Sequence, residues 1–145
     1  MRALDTNVLV RYLTQDEPKQ AVIAVEEIEG AAAKDEKMLI QPLVLCELVW
    51  VLETAYDFGK AEILGVLDQI VRTRQFEVAD KDTVWYALAE YRHGKADFSD
   101  YYLGRANERD GASHTLTFDK ALKGSPRFRV LPGYAAPPPV SSRPR

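Results

Sequence analysis

The sequence predicts an α/β sandwich rich in parallel strands, and three observations carry that prediction. Short stretches that read as strands recur along the chain, at residues 1–4, 38–40, 76–79, 114–118 and 128–131. Stretches with helical apolar spacing fill the intervals between them. No internal repeat and no linker divides the 145 residues, a length that forms one domain with a real core. Strands alternating with helices favour parallel pairing. The expected boundaries are a folded region over 1–131 and a Pro-rich tail over 132–145.

The first run enters Asp5 directly, and Thr6 and Asn7 follow before Val8-Leu9-Val10 resumes an apolar pattern that continues to Tyr12 and Leu13. This spacing predicts a strand ending at Asp5 and a helix starting just after it. Ligands bind outside the carboxyl ends of strands in open parallel sheets, so Asp5 is expected at that rim. Asp, Thr and Asn are also preferred helix caps. Taken alone, Asp5 reads more readily as a cap than as a ligand.

A helix over 17–33 follows, with Pro18 in its first turn and Ala21, Val22, Val25 and Ile28 on one face. After the charged turn Lys34-Asp35-Glu36-Lys37, residues 38–40 form a short buried strand. Pro42 opens the next helix, over 43–56, which is apolar nearly all round and is therefore central or covered by a second subunit. Glu47 is its first charged residue. A carboxylate among Leu45, Cys46, Leu48 and Val49 is costly unless it reaches water, an arginine or a metal. An amphipathic helix over 60–73 turns Ile63, Leu64, Leu67, Ile70 and Val71 inward. Residues 76–79 form a strand, and Asp80 or Asp82 caps a helix that stops near His93-Gly94. The next helix begins around Asp97 and Asp100 and ends by Asp110-Gly111. Acids in a first turn gain about 0.3–1 kcal/mol each from the helix dipole, which is the structural explanation for both. Residues 114–118 read as a buried strand leading to Asp119, with a short helical turn at Lys120-Ala121-Leu122. Residues 128–131 are the last strand. The segment from Pro132, with Pro137-Pro138-Pro139 and a basic end at Arg143 and Arg145, supplies no core and is expected to be disordered.

The formal net charge of −3 gives no overall basic signal, although a local patch can serve a nucleic acid where the total is acidic. Cys46 is the only cysteine, which excludes an intramolecular disulfide and fits a reducing compartment. No apolar run approaches the ~18 residues of a membrane span, and the N-terminus does not read as a signal peptide. A soluble, cytoplasmic protein is expected.

The chemistry lies in recurrence. Asp5 and Asp119 each follow a strand, Glu47 lies within two turns of one, and Asp100 starts a helix. All four are expected on one carboxyl rim. Such a cluster repels itself by several kcal/mol in a low-dielectric cleft unless a cation is present. Hard divalent cations take oxygen ligands, and a magnesium site can activate water and stabilise the leaving oxygen of a phosphodiester. His93 and His114 are isolated, and no Cys/His cluster supports a softer metal. A nucleophilic Ser or Cys elbow and a phosphate-cradling Gly-rich loop are both missing.

Asp5-Thr6-Asn7 after a short strand, an acid in an apolar helix at Glu47, the stretch Asp100-Tyr101-Tyr102-Leu103-Gly104-Arg105-Ala106, and Thr117-Phe118-Asp119 together resemble the PIN domain. The closest similarity is to VapC-type toxins of bacterial and archaeal toxin–antitoxin pairs, and it runs over about 1–131. The resemblance implies a three-layer α/β/α sandwich with a mainly parallel central sheet and an endoribonuclease dependent on Mg²⁺ or Mn²⁺. It also implies a homodimer and a cognate antitoxin whose C-terminal segment lies across the active site. Residue by residue, Asp5, Glu47, Asp100 and Asp119 match the family's four acids. In the ribonuclease reading that follows from this resemblance, Asp5 and Asp100 are expected to bind metal directly, with Glu47 and Asp119 helping through water or a second ion. Thr6 and Thr117 match polar positions that orient the acids or water. Asp97 is either an additional supporting acid or exchanges roles with Asp100. Gly104-Arg105 departs from the small residues usual in the family. Arg11, Arg105, Arg109 and Lys120 are candidates for holding RNA phosphates. With four acids expected at one rim, Asp5 reads as a metal ligand and capping passes to Thr6 or Asn7.

Two other classes stand beside this one. A phosphohydrolase with Asp5 as covalent nucleophile wants a second acid two residues on, where the chain has Asn7. A catalytically inactive binding module would use the acids only as caps and act through a partner protein.

Overall fold

The computed structural model describes residues 1–133, so the expected tail beyond Gly133 lies outside the described residues. The described backbone forms two compact units, Met1–Lys81 and a second that begins at Asp82.

In the first unit the strands are β1 (Arg2–Ala3), β2 (Met38–Ile40) and β3 (Phe76–Val78), paired in that order and all parallel. The register sets Ala3 against Leu39 and Ile40 against Val78. Around them run α1 (Thr6–Thr14), α2 (Pro18–Ala33), α3 (Pro42–Ala55) and α4 (Lys60–Arg72). Each parallel connection is thus made through helices, the crossover such pairing requires. The core gathers Leu9, Ile28, Ile40, Leu45, Leu48 and Ile63, all fully buried.

β1 ends before Asp5, although the Leu4 amide still donates to the Leu39 carbonyl. Asp5 itself caps α1, with extended backbone and its carboxylate accepting from the Thr6 amide. The expectation that Thr6 or Asn7 caps is therefore corrected: Thr6 already has helical geometry, and only the residue before it can turn its side chain back onto the first free amide. On α2 the inward stripe is Ala21, Ala24, Ile28 and Ala31, while Val22 is 56% exposed. Val22 lies a third of a turn off the stripe selected by the helical period. Along α3, Val44, Leu45, Leu48, Val49 and Leu52 are buried, whereas Leu43 and Trp50 are exposed.

The second unit carries α5 (Lys81–His93, its first residue at the boundary), α6 (Phe98–Arg109), β4 (Thr115–Thr117), a 3-10 turn (Lys120–Leu122) and β5 (Phe128–Val130). β4 and β5 pair in parallel, Thr115 against Phe128. Among the described residues the strands thus form a three-stranded and a two-stranded ladder, both parallel, as the expected α/β class requires. β4 is not the buried strand expected: Leu116 and Phe118 are 61% and 69% exposed, and Thr115 and Thr117 are half-buried. Successive strand side chains take opposite faces, so one apolar residue in each pair cannot share the inner face with the threonines. Gly104 lets Phe128 pack closely, because a Cβ there would approach a ring carbon of Phe128 to 2.5 Å and force that ring to shift. Arg105 beside it bonds Glu90 at 3.0 Å and lies over the Tyr86 ring. These two contacts account for the departure at Gly104-Arg105.

Among the described residues, no helix is long and apolar enough to cross a membrane.

Candidate functional site

The seven residues singled out in the sequence divide between the two units. Asp5, Thr6 and Glu47 belong to the first; Asp97, Asp100, Thr117 and Asp119 belong to the second.

In the first unit a strand end, a helix start and the second turn of another helix meet at Thr6. Its amide donates to Asp5 Oδ1 at 2.7 Å, and its hydroxyl donates to Glu47 Oε1 at 2.7 Å. Thr6 is 6% exposed, whereas Asp5 and Glu47 are exposed. One buried threonine therefore holds two exposed carboxylates, forty-one positions apart for Thr6 and Glu47. Glu47 is not the desolvated acid its neighbours suggested. The helical period turns Val44, Leu45 and Leu48 inward and leaves position 47 on the outer surface.

In the second unit Asp97 precedes α6 as its cap residue, and Asp100 Oδ2 accepts from the Asp97 amide at 3.2 Å. Asp100 is 7% exposed and is the one buried charged residue among the described residues. A buried carboxylate needs hydrogen bonds or a counter-charge, which a position in a helix's first turn helps to provide. Asp119 caps the 3-10 turn, its Oδ1 accepting from the Ala121 amide at 2.9 Å, while Thr117 Oγ1 accepts from the Asp119 amide at 3.0 Å. Each threonine thus sets the chain around an acid, though in opposite senses: Thr6 donates to a carboxylate, and Thr117 accepts from a backbone amide.

Every donor in the two sets is a carboxylate or hydroxyl oxygen, without sulfur or imidazole. That chemistry fits a hard divalent cation such as Mg²⁺ or Mn²⁺ and no soft metal. Among the described residues, no group of three or more His, Cys, Asp and Glu side chains is assembled to hold a metal ion. His93 and His114 are exposed and take no part in these sets.

The arginines expected to hold phosphates are engaged within the protein. Arg11 bonds Gln20 and Tyr56 and faces Asp16 at 3.5 Å. Arg105 is held by Glu90, and Arg109 by Asp110 and Thr83. Lys120 remains exposed on the turn that Asp119 caps. Sequence reasoning missed its companions Lys95 and Lys123, which line a cavity of about 570 Å³ with it. Nothing in their local sequence sets these lysines apart from other surface lysines.

A family model described as "PIN domain" matches residues 2–124. A VapC ribonuclease of Aquifex aeolicus (strain VF5) is 28% identical over 123 residues, covering 85% of this chain and 90% of that protein. No solved structure matches.

Proposed function

From the premise that the chain belongs to the PIN-domain family, we propose that it is a Mg²⁺- or Mn²⁺-dependent endoribonuclease, the toxin of a toxin–antitoxin pair. The observation that carries this reading is the similarity to a VapC ribonuclease over nearly the full length of both chains. Asp5, Glu47, Asp100 and Asp119 all fall within the matched residues 2–124.

In this reading Asp5 and Asp100 hold the cation, and Glu47 and Asp119 assist. When bound, the cation supplies a water activated for attack and neutralises charge on the departing oxygen. The chain's own contribution is orientation. Thr6 fixes one oxygen of Asp5 and one of Glu47, so neither carboxylate turns freely. Thr117 sets the backbone from which Asp119 projects. Asp97 supports Asp100 through its amide. A cytoplasmic homodimer neutralised by a cognate antitoxin completes the proposal, and the exposed Leu43 and Trp50 on α3 support an association surface.

Purified protein is expected to cut RNA internally with Mg²⁺ or Mn²⁺ and to stop in excess chelator. Asp5→Asn, which keeps the shape and removes the charge, should lower cleavage by at least about a thousandfold, a barrier increase of about 4 kcal/mol. Undiminished cleavage by Asp5→Asn would refute the metal-ligand assignment. Toxicity retained by an Asp5→Asn, Asp100→Asn double variant would favour a catalytically inactive binding module instead.

A further inference from the structure

The second unit contains a cleft whose chemistry is not that of its acids. It measures about 570 Å³ and is lined by the C-terminal end of α5, the Gly94-Lys95 connection and the loop over residues 120–126. Lys95, Lys120 and Lys123 contribute three exposed ammonium groups, and among the described residues none of the three has an ion-pair partner. One acid, Glu90, also lines the wall, but its two oxygens are occupied by Arg105 at 3.0 Å and Arg127 at 2.8 Å. The wall carboxylate is thus neutralised from behind, and the cleft is cationic in a chain whose formal net charge is −3.

The cleft is also built. A Cβ on Gly94 would collide with the Tyr101 hydroxyl, which accepts from the Ala96 amide at 3.2 Å, so the backbone beside Lys95 is held close against a fixed ring. Gly124 turns the opposite wall with φ +87°, a conformation that other residues rarely adopt. Its neighbours are the acids of the same unit: Lys95 stands two residues before Asp97, and Lys120 follows Asp119 directly.

We propose that Lys95, Lys120 and Lys123 form a phosphate-binding cleft that holds the RNA strand beside the bond to be cut. This rests on the ribonuclease reading above. The three ammonium groups serve as point charges for backbone phosphates, so the cleft contributes affinity and register without reading base sequence.

The test uses the full chain with Asp5→Asn, which keeps the RNA intact, and follows anisotropy of a labelled single-stranded RNA across a salt series. Adding Lys95→Ala and Lys123→Ala should weaken binding about tenfold on RNAs of unrelated sequence and flatten the log–log salt slope by about 1.4, or 0.7 per lost contact. Lys95→Arg with Lys123→Arg should retain most of the affinity, because the charge is preserved. Both positions are exposed, so unchanged thermal midpoints are expected to show that the variants fold. Where the wild-type chain cuts RNA, unchanged affinity and slope on adding the two alanines to Asp5→Asn would overturn the cleft alone. So would a variant that keeps RNA binding and loses only polyglutamate, which would mark the cleft as a seat for an acidic protein. A wild-type chain that leaves RNA uncut in both metals overturns the ribonuclease reading and, with it, the cleft as a substrate site.

Discussion

Thr6 is the residue that joins the two candidate acids of the first unit. Buried at 6% exposure, it spends its amide on Asp5 and its hydroxyl on Glu47. Valine has nearly the same shape and no donor, so Thr6→Val frees Glu47 to turn into solvent. The stability cost should stay near 1 kcal/mol, the net value of one hydrogen bond whose acceptor can be rehydrated. The catalytic cost should be larger, about tenfold in kcat/KM, and Thr6→Ser should recover most of it. Equal losses in the Ser and Val variants would show that the hydroxyl does not position Glu47. Asp5 combines two roles, cap and candidate ligand: its Oδ1 accepts from the helix amide while the carboxylate remains exposed.

Between elements, the connection from α1 to α2 is tied to the end of α3 by a small polar cluster. Tyr56 donates to Asp16 Oδ2 at 2.7 Å, Thr14 donates to Oδ1 at 3.0 Å, and Arg11 stands 3.5 Å away. The Tyr56 hydrogen bond, foremost among these contacts, holds the Asp16 carboxyl below its ordinary value of 3.8. A depressed folded-state pKa contributes stability above the unfolded pKa, and that contribution is lost as pH falls through the folded value. Tyr56→Phe should therefore narrow the difference in Tm between about pH 6 and about pH 3, because the variant has less to lose on acidification. A wild-type difference unchanged by Tyr56→Phe would remove the Tyr56–Asp16 hydrogen bond from the acid response.

For the molecule as a whole, the proposed cation links function to stability. An ion held by the folded chain and not by the unfolded one stabilises it by about 2.7 kcal/mol at ~100 times its dissociation constant. In a domain of this size that is a rise in Tm of roughly 10 °C. Calorimetry with Mg²⁺ or Mn²⁺ should show the rise in the wild type and its loss in Asp5→Asn, with Ca²⁺ as a comparison of ion size. A rise of the same size in Asp5→Asn would place the ion elsewhere. The measurement is independent of RNA cleavage, so it separates metal binding from activity.

Much of this was legible in the chain because it follows from local rules. The alternation of strands and helices, Pro18 and Pro42 at helix starts, and Asp119 opening a one-turn helix depend on residues within a few positions of each other. The order of the acids resembles the PIN family's, and the family match over 2–124 bears that resemblance out. What the sequence alone determined is therefore the class of elements, their order and the family. Which residue caps α1, which face Glu47 occupies and which cations stay uncommitted were decided by tertiary structure. Thr6 meets Glu47 across forty-one positions, and Glu90 is neutralised by Arg105 and Arg127 from fifteen and thirty-seven positions away. Such contacts leave no periodic trace, because they depend on how elements pack and not on the spacing within any one of them.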